Sequence, residues 1–205
     1  MLLMINCGIM RVFLSVLILI FSFQSLSKAD DISEFEIEGM SIGDSLLNYF
    51  SEDEIKKNKQ NTQYPKSDKY IISTINNHSR FEIYESVQID YKKNDSNYVI
   101  ASIMGMLRFE DNIDVCYKKQ KIIASEVEML FPKAKKKSGK QTKAFDKTGK
   151  STSYLYEFHL SSGDVVQISC DDWSDKMSEK HNLIDHLGVS VMSKELVDFL
   201  YDEAY

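Results

Sequence analysis

Apolar and polar positions alternate most clearly in the middle of the chain. From Phe81 to Tyr91, Phe81, Ile83, Val87, Ile89 and Tyr91 fall on one parity, and Glu82, Gln88 and Asp90 on the other. A period of two predicts a half-buried strand. The polar run "KKNDSN" turns the chain, and Val99, Ala101, Ile103, Leu107 and Phe109 carry the alternation on from Tyr98 to Phe109. Together the two runs predict a long antiparallel hairpin. A short β-branched stretch, Tyr70 to Ile75, precedes it. A second hairpin is predicted around "SSGD": Tyr154, Tyr156, Phe158 and Leu160 face one way on its first strand, and Val166, Ile168 and Cys170 on its second. "LGVSVM" reads as a last strand.

Elsewhere the period lengthens to that of a helix. In "EGMSIGDSLLNYF", Ser41 and Asp44 form a start signal ahead of Leu46, Leu47 and Phe50, and Ser51 with Glu54 repeats it for a second short helix ending near Lys59. The polar connection "NKQNTQYPKSDK" follows. Asn112 or Asp111 opens a longer helix that Pro132 stops, with Cys116, Ile123, Val127 and Leu130 on its buried stripe. Ser193 caps a final helix through Leu200. The predicted order is ααβββαβββα. This is an α+β fold in which an antiparallel sheet of two hairpins carries its helices packed on one face.

The first thirty residues add an address. Arg11, the apolar run Val12 to Phe23, and the small residues Ser27 and Ala29 before Asp30 make a secretory signal peptide over 1–29. The rival is an uncleaved anchor, but the run is well short of the ~20 residues a spanning helix needs. Met10 offers an alternative start. Cys7 precedes the apolar core, so it is not a lipoprotein acylation site. Residues 30–205 then form a single domain, periplasmic or secreted after cleavage near Ala29, with no membrane span left.

Of 25 basic residues Arg11 and Lys28 leave with the leader, so 23 face 31 acids, a formal charge of −8. That balance argues against nucleic-acid binding, which needs clustered positive charge. The many lysines, asparagines and isoleucines are a bias of AT-rich bacterial genomes.

Candidate chemistry begins with "ISCDDW". Two cysteines, Cys116 and Cys170, remain after cleavage, both on the apolar face of their own element. In an oxidising compartment they read first as a disulfide, then as two buried thiols. A nucleophilic thiol would need a setting that lowers its pKa, and Asp171 and Asp172 would raise it. The acids of "CDDWSD" with Glu179, His181 and His186 lack the tight spacing of a zinc site, and "NDSN" lacks the glycine and closing glutamate of a calcium loop. They read as solvated loop carboxylates, with no metal and no cofactor implied. Gly149-Lys150-Ser151 imitates the end of a P-loop, but Ala144 stands where the leading glycine belongs and a strand follows.

Lys133 to Lys150 holds eight lysines against Asp146 alone. It reads as a solvated lysine-rich loop, with Lys133, Lys135, Lys136, Lys137, Lys140 and Lys143 as candidate contacts to an anionic surface. No stacking aromatic lies inside it beyond Phe145. His78, His159, His181 and His186 show no partners in sequence, and His159 is expected to be exposed. No G-x-S-x-G or S-x-x-K motif is present, so no catalytic residue is predicted.

"GMSIGDSLLNYF", two hairpins and "CDDW" together resemble a group of small exported bacterial proteins with a GMSIGDSLL-type start and no known activity. The "GMS" opening is also similar to that of small envelope-assembly lipoproteins, but the lipobox cysteine and a glycine-proline helix exit are missing. The expectation is a non-enzymatic protein of the periplasm that binds another envelope protein or an anionic surface. The alternative is a small hydrolase or ligand carrier whose site is dispersed in sequence. A cleft of convergent polar groups with perturbed pKa values would favour the enzyme, an enclosed apolar pocket the carrier, and a broad apolar patch on one sheet face the partner.

Overall fold

The computed structural model describes residues 32–61, 64–109 and 112–205; the predicted leader lies outside them. After a 3-10 turn at Ile32–Glu34 and another at Leu46–Asn48, the elements in chain order begin with α1 (Glu52–Lys57), β1 (Tyr70–Asn76), β2 (Ser86–Lys92) and β3 (Ile100–Arg108). There follow α2 (Ile113–Leu130), β4 (Lys135–Thr142), β5 (Thr152–His159), β6 (Val165–Asp172), α3 (Asp175–His181), β7 (His186–Met192) and α4 (Lys194–Asp202). The α+β class holds. The strands form one antiparallel sheet of seven, ordered β1-β2-β3-β7-β6-β5-β4, which is larger than two hairpins.

The helices lie on both faces rather than one. On the first, α2 packs Cys116, Ala124 and Val127 over Phe158, Val166, Ile168, Cys170, Leu187 and Val189 in the main core. The segment from Ile37 to Ile55 continues this cluster over Ile71, Ile75, Val87 and Ile89. On the opposite face, Leu196 and Phe199 of α4 cover Tyr70, and the rings of Tyr70 and Phe199 are 4.8 Å apart. Consecutive strand residues point to opposite faces, so neighbouring Tyr70 and Ile71 belong to different cores. Three donors on one short stretch explain another departure. The N–H groups of Glu82, Ile83 and Tyr84 donate to the Glu38 carboxylate at 2.7–2.9 Å and are lost to the ladder; cross-strand bonding resumes at Glu85, whose N–H donates to Met106 O, and β2 spans Ser86–Lys92.

Ser41 to Phe50 is not a helix either. The Gly43 and Leu46 N–H groups donate to Ile100 O and Tyr98 O, the Ile100 N–H donates to Asp44 O, and Ser45 bridges Val99. Pairing with the start of β3 replaces i→i−4 bonding. A bulge at Asp90/Tyr91 pairs Tyr91 with Ile100 and Asp90 with Ser102, which moves Ala101 out of the predicted face and toward Tyr70. By contrast, the Ser51–Glu54 capping box is present, Asn112 caps α2, and Ser193 caps α4. Cys116 and Cys170 are disulfide-bonded, with their Cα atoms 6.0 Å apart.

The sheet's two edges differ. Beside β1 runs the chain's own segment 58–60: the Gln60 N–H donates to Ile72 O and the Thr74 N–H to Asn58 O, both at 2.9 Å. The lysine-rich "loop" is the opposite edge strand, β4, and nothing among the described residues pairs with its outer side. All its residues except Gly139 are exposed.

Candidate functional site

An open groove of about 470 Å³ lies between α2 and the β4–β5 edge. Helical spacing builds one wall. Asp114, Tyr117, Lys118 and Lys121 recur at three- and four-residue intervals and so share a stripe of α2. Lys140 of β4 stands across from them, and Tyr154 of β5 lies between. Lys140 and Tyr154 are cross-strand partners, which puts both side chains on the α2 face. At the base, Gln120 is buried and its Nε2 donates to Tyr154 O at 2.6 Å and to Ile168 O at 2.9 Å, tying the helix wall to the sheet.

Aromatic rings continue along the same side of β5. Tyr117 meets Tyr154 edge-on at 6.4 Å, and Tyr154 and Tyr156 are 5.4 Å apart. Lys136 reaches over the rings of Tyr156 and Phe158, 5.5 and 5.7 Å from their centroids, and is also ion-paired with Glu128. Among the described residues Lys118, Lys121 and Lys140 have no ion-pair partner. The groove therefore presents three uncompensated ammonium groups beside tyrosine rings, with Asp114 the one acid on its wall. Such an arrangement attracts negative charge electrostatically, and its lining holds no nucleophile–base pair.

The six lysines singled out from the sequence take different roles. Lys136 and Lys140 point to the α2 face, Lys135 and Lys137 to the other, as alternation requires. Lys133 lies in the turn before β4. Lys143 is committed elsewhere: its Nζ is 2.9 Å from Asp171 and 5.0 Å from the centre of the Trp173 ring. Tyr117, Lys118, Gln120, Lys121 and Tyr154 had not been singled out. Their signal is the polar stripe of α2, which becomes meaningful once β4 is known to lie opposite it.

Asp171 is not a solvated loop carboxylate; it is buried on β6, between Lys143 and His186, whose Nε2 is 3.5 Å away. The other ring nitrogen, Nδ1, lies 2.9 Å from Ile184 O. Asp171 also separates Ser153 from His186, because the three are neighbours in register on β5, β6 and β7. Two strand spacings put Ser153 and His186 about 10 Å apart, too far for the contact by which a histidine activates a serine. His159 is half-buried, 3.3 Å from Glu157, and His78 packs against Phe50 and lies 3.5 Å from Glu54. The P-loop look-alike is a turn organised by Asp146. Its carboxylate accepts from the hydroxyls of Ser151, Thr148 and Ser174 and from the Thr148 and Ser151 N–H groups. Those donors, Ser151 first, hold it well below the usual carboxylate range.

Among the described residues no group of three or more His, Cys, Asp or Glu side chains is placed to hold a metal ion. No helix among them is long and apolar enough to cross a membrane. Comparison with protein-family models, with curated proteins and with solved structures finds no match.

Proposed function

We propose that this chain is an exported, non-enzymatic binding protein of the bacterial envelope that takes hold of an anionic envelope component at the groove between α2 and β4. The observation that carries the reading is the trio Lys118, Lys121 and Lys140, unpaired and converging on one groove of an otherwise acidic molecule. Local positive charge attracts an anion to this face while the acidic remainder turns polyanions away elsewhere. The tyrosine rings give the ligand's uncharged parts a surface to lie on. The leader supports export, and a bridged cysteine pair suits an oxidising compartment.

Titration of the intact protein with oligogalacturonate, a flexible polyanion, tests the binding. Saturable binding that weakens with salt is expected, and Lys118→Gln/Lys121→Gln/Lys140→Gln should weaken it at least tenfold, about 1.4 kcal/mol. Equal affinity of the triple variant would remove the groove from consideration. Intact mass of protein recovered from the host's periplasm checks the address: a chain beginning at Asp30 and lighter by the two hydrogens of the disulfide is expected.

A further inference from the structure

The two edges of the sheet have been treated differently by the same chain. On β1 the segment 58–60 occupies the outer hydrogen-bonding positions, with Lys59 bridging Ser73. On β4, eight residues long, the outer N–H and C=O groups of alternate residues meet no described partner. An open edge of that length is a template for another strand, and lysines are the usual device that blocks indiscriminate pairing. Here the device has a chemical bias. Lys135, Lys136, Lys137 and Lys140 repel a second copy of β4: in the symmetric antiparallel register centred on Ser138, Lys136 would face Lys140 twice. An acidic strand would neutralise the same charges. What excludes self-pairing thus selects a partner of opposite sign.

Resting on the anion-binding reading above, we infer that the component is an acidic polypeptide segment that docks in extended form along β4 as an eighth strand. Backbone hydrogen bonds to the open edge supply the affinity common to strand addition. Side chains supply the choice. Residues of the incoming strand alternate between faces, so acids on one parity meet Lys135 and Lys137, and those on the other meet Lys136 and Lys140 and extend toward the groove with Lys118 and Lys121. The segment is therefore about eight residues long, acidic on both parities and free of proline, which cannot donate to the ladder. The main core does not have to open, because β4 is already exposed along its length.

The test uses a fluorescent ten-residue peptide of glutamate and threonine in alternating pairs, titrated into the intact protein. A second peptide of the same sequence is N-methylated at every threonine, which blocks hydrogen bonding along both of its edges and leaves each charge in place. The inference requires the first peptide to bind, the methylated one to lose at least tenfold, and Lys137→Gln/Lys140→Gln to lose at least tenfold as well. These lysines are exposed, so the variant keeps its fold. Equal binding of the two peptides overturns strand addition and leaves anion binding intact. Binding of oligogalacturonate but neither peptide does the same. If no anion binds at low salt, both readings fall. Concentration-dependent dimerisation without peptide, with amide exchange of β4 slowed as the dimer forms, would assign the edge to a second copy and overturn the inference.

Discussion

Behind the sheet, α2 rests on Val166, Ile168, Cys170 and Val189, an apolar layer crossed by the Cys116–Cys170 bridge. In front, α4 and Tyr64 cover a corner that contains a carboxylate. Asp90 is buried there, and Tyr64 Oη donates to its Oδ1 at 2.7 Å. Burial pushes the Asp90 carboxyl up to about 6, against the opposing pull of bonds from Tyr64 and Ser102, and the same burial raises the Tyr64 phenol. One helix is held by apolar contact and a covalent link. The other closes over a group that would rather be in water. The lesson is that one face of this sheet is closed by apolar contact and a covalent link, while the other is closed over a buried titratable group.

Breaking the bridge is the severest way to test that contrast. Closing a loop with a sequence separation of 54 stabilises the fold by about 4 kcal/mol in the chain-entropy account. Cys116→Ala/Cys170→Ala should therefore lower the melting temperature by about 10 °C for a domain of this size. Calorimetry of the variant and of the reduced wild type should agree. A loss below about 1 kcal/mol would mean that packing under α2, without the covalent link, holds this face.

The second test turns to the front, with the opposite sign. A carboxyl whose pKa is raised on folding binds its proton more tightly in the native state. Its contribution to stability is complete below about 4 and declines as pH rises toward about 6. Above that, the buried carboxylate costs up to about 3 kcal/mol. Asp90→Asn still accepts from Tyr64 and carries no charge, so it should stabilise the protein at pH 7 by up to that amount and make almost no difference at pH 3.5. Paired denaturant titrations across this range measure the difference, in which all other titrating groups cancel. A gain independent of pH would show that Asp90 is not the ionised group beneath α4.

These two regions were unequally legible in the sequence, for physical reasons. The rear core announced itself: α2 has a capped start, a proline stop and a repeating apolar stripe, and β5 and β6 alternate because one face of each joins the apolar core under α2. The pairing of Cys116 with Cys170 followed from both lying on those buried stripes. β4 was unreadable because a strand exposed on both faces has no burial to imprint a period, and "KKKSGKQT" resembles a loop for that reason. The groove was unreadable because it needs β4 in place opposite α2. Asp90 looked solvent-facing by parity; its parity was correct, but α4 and Tyr64, distant in sequence, fold over it. The helix expected at Ser41 failed to a long-range competitor, the start of β3, which local propensity cannot anticipate.

The smallest effect offers the finest comparison. Ser193 Oγ accepts from the Leu196 N–H and starts α4, the front cover. Removing such a cap costs about 1 kcal/mol, roughly a fivefold rise in the population of states with this end open, provided α4 opens by itself. Ser193→Ala should accelerate amide exchange of Leu196 through Phe199 by that factor and leave Cys116 through Val127 of α2 at the wild-type rate. Because opening α4 also returns water to Asp90, exchange in α4 should be faster at pH 7, where the carboxylate gains by hydration, than at pH 3.5 in wild type and variant alike, after correction for the intrinsic exchange rate, with the fivefold ratio between them unchanged. Equal acceleration in both helices would make the two covers one cooperative unit, and the contrast between the faces would then be one of composition without a difference in local stability.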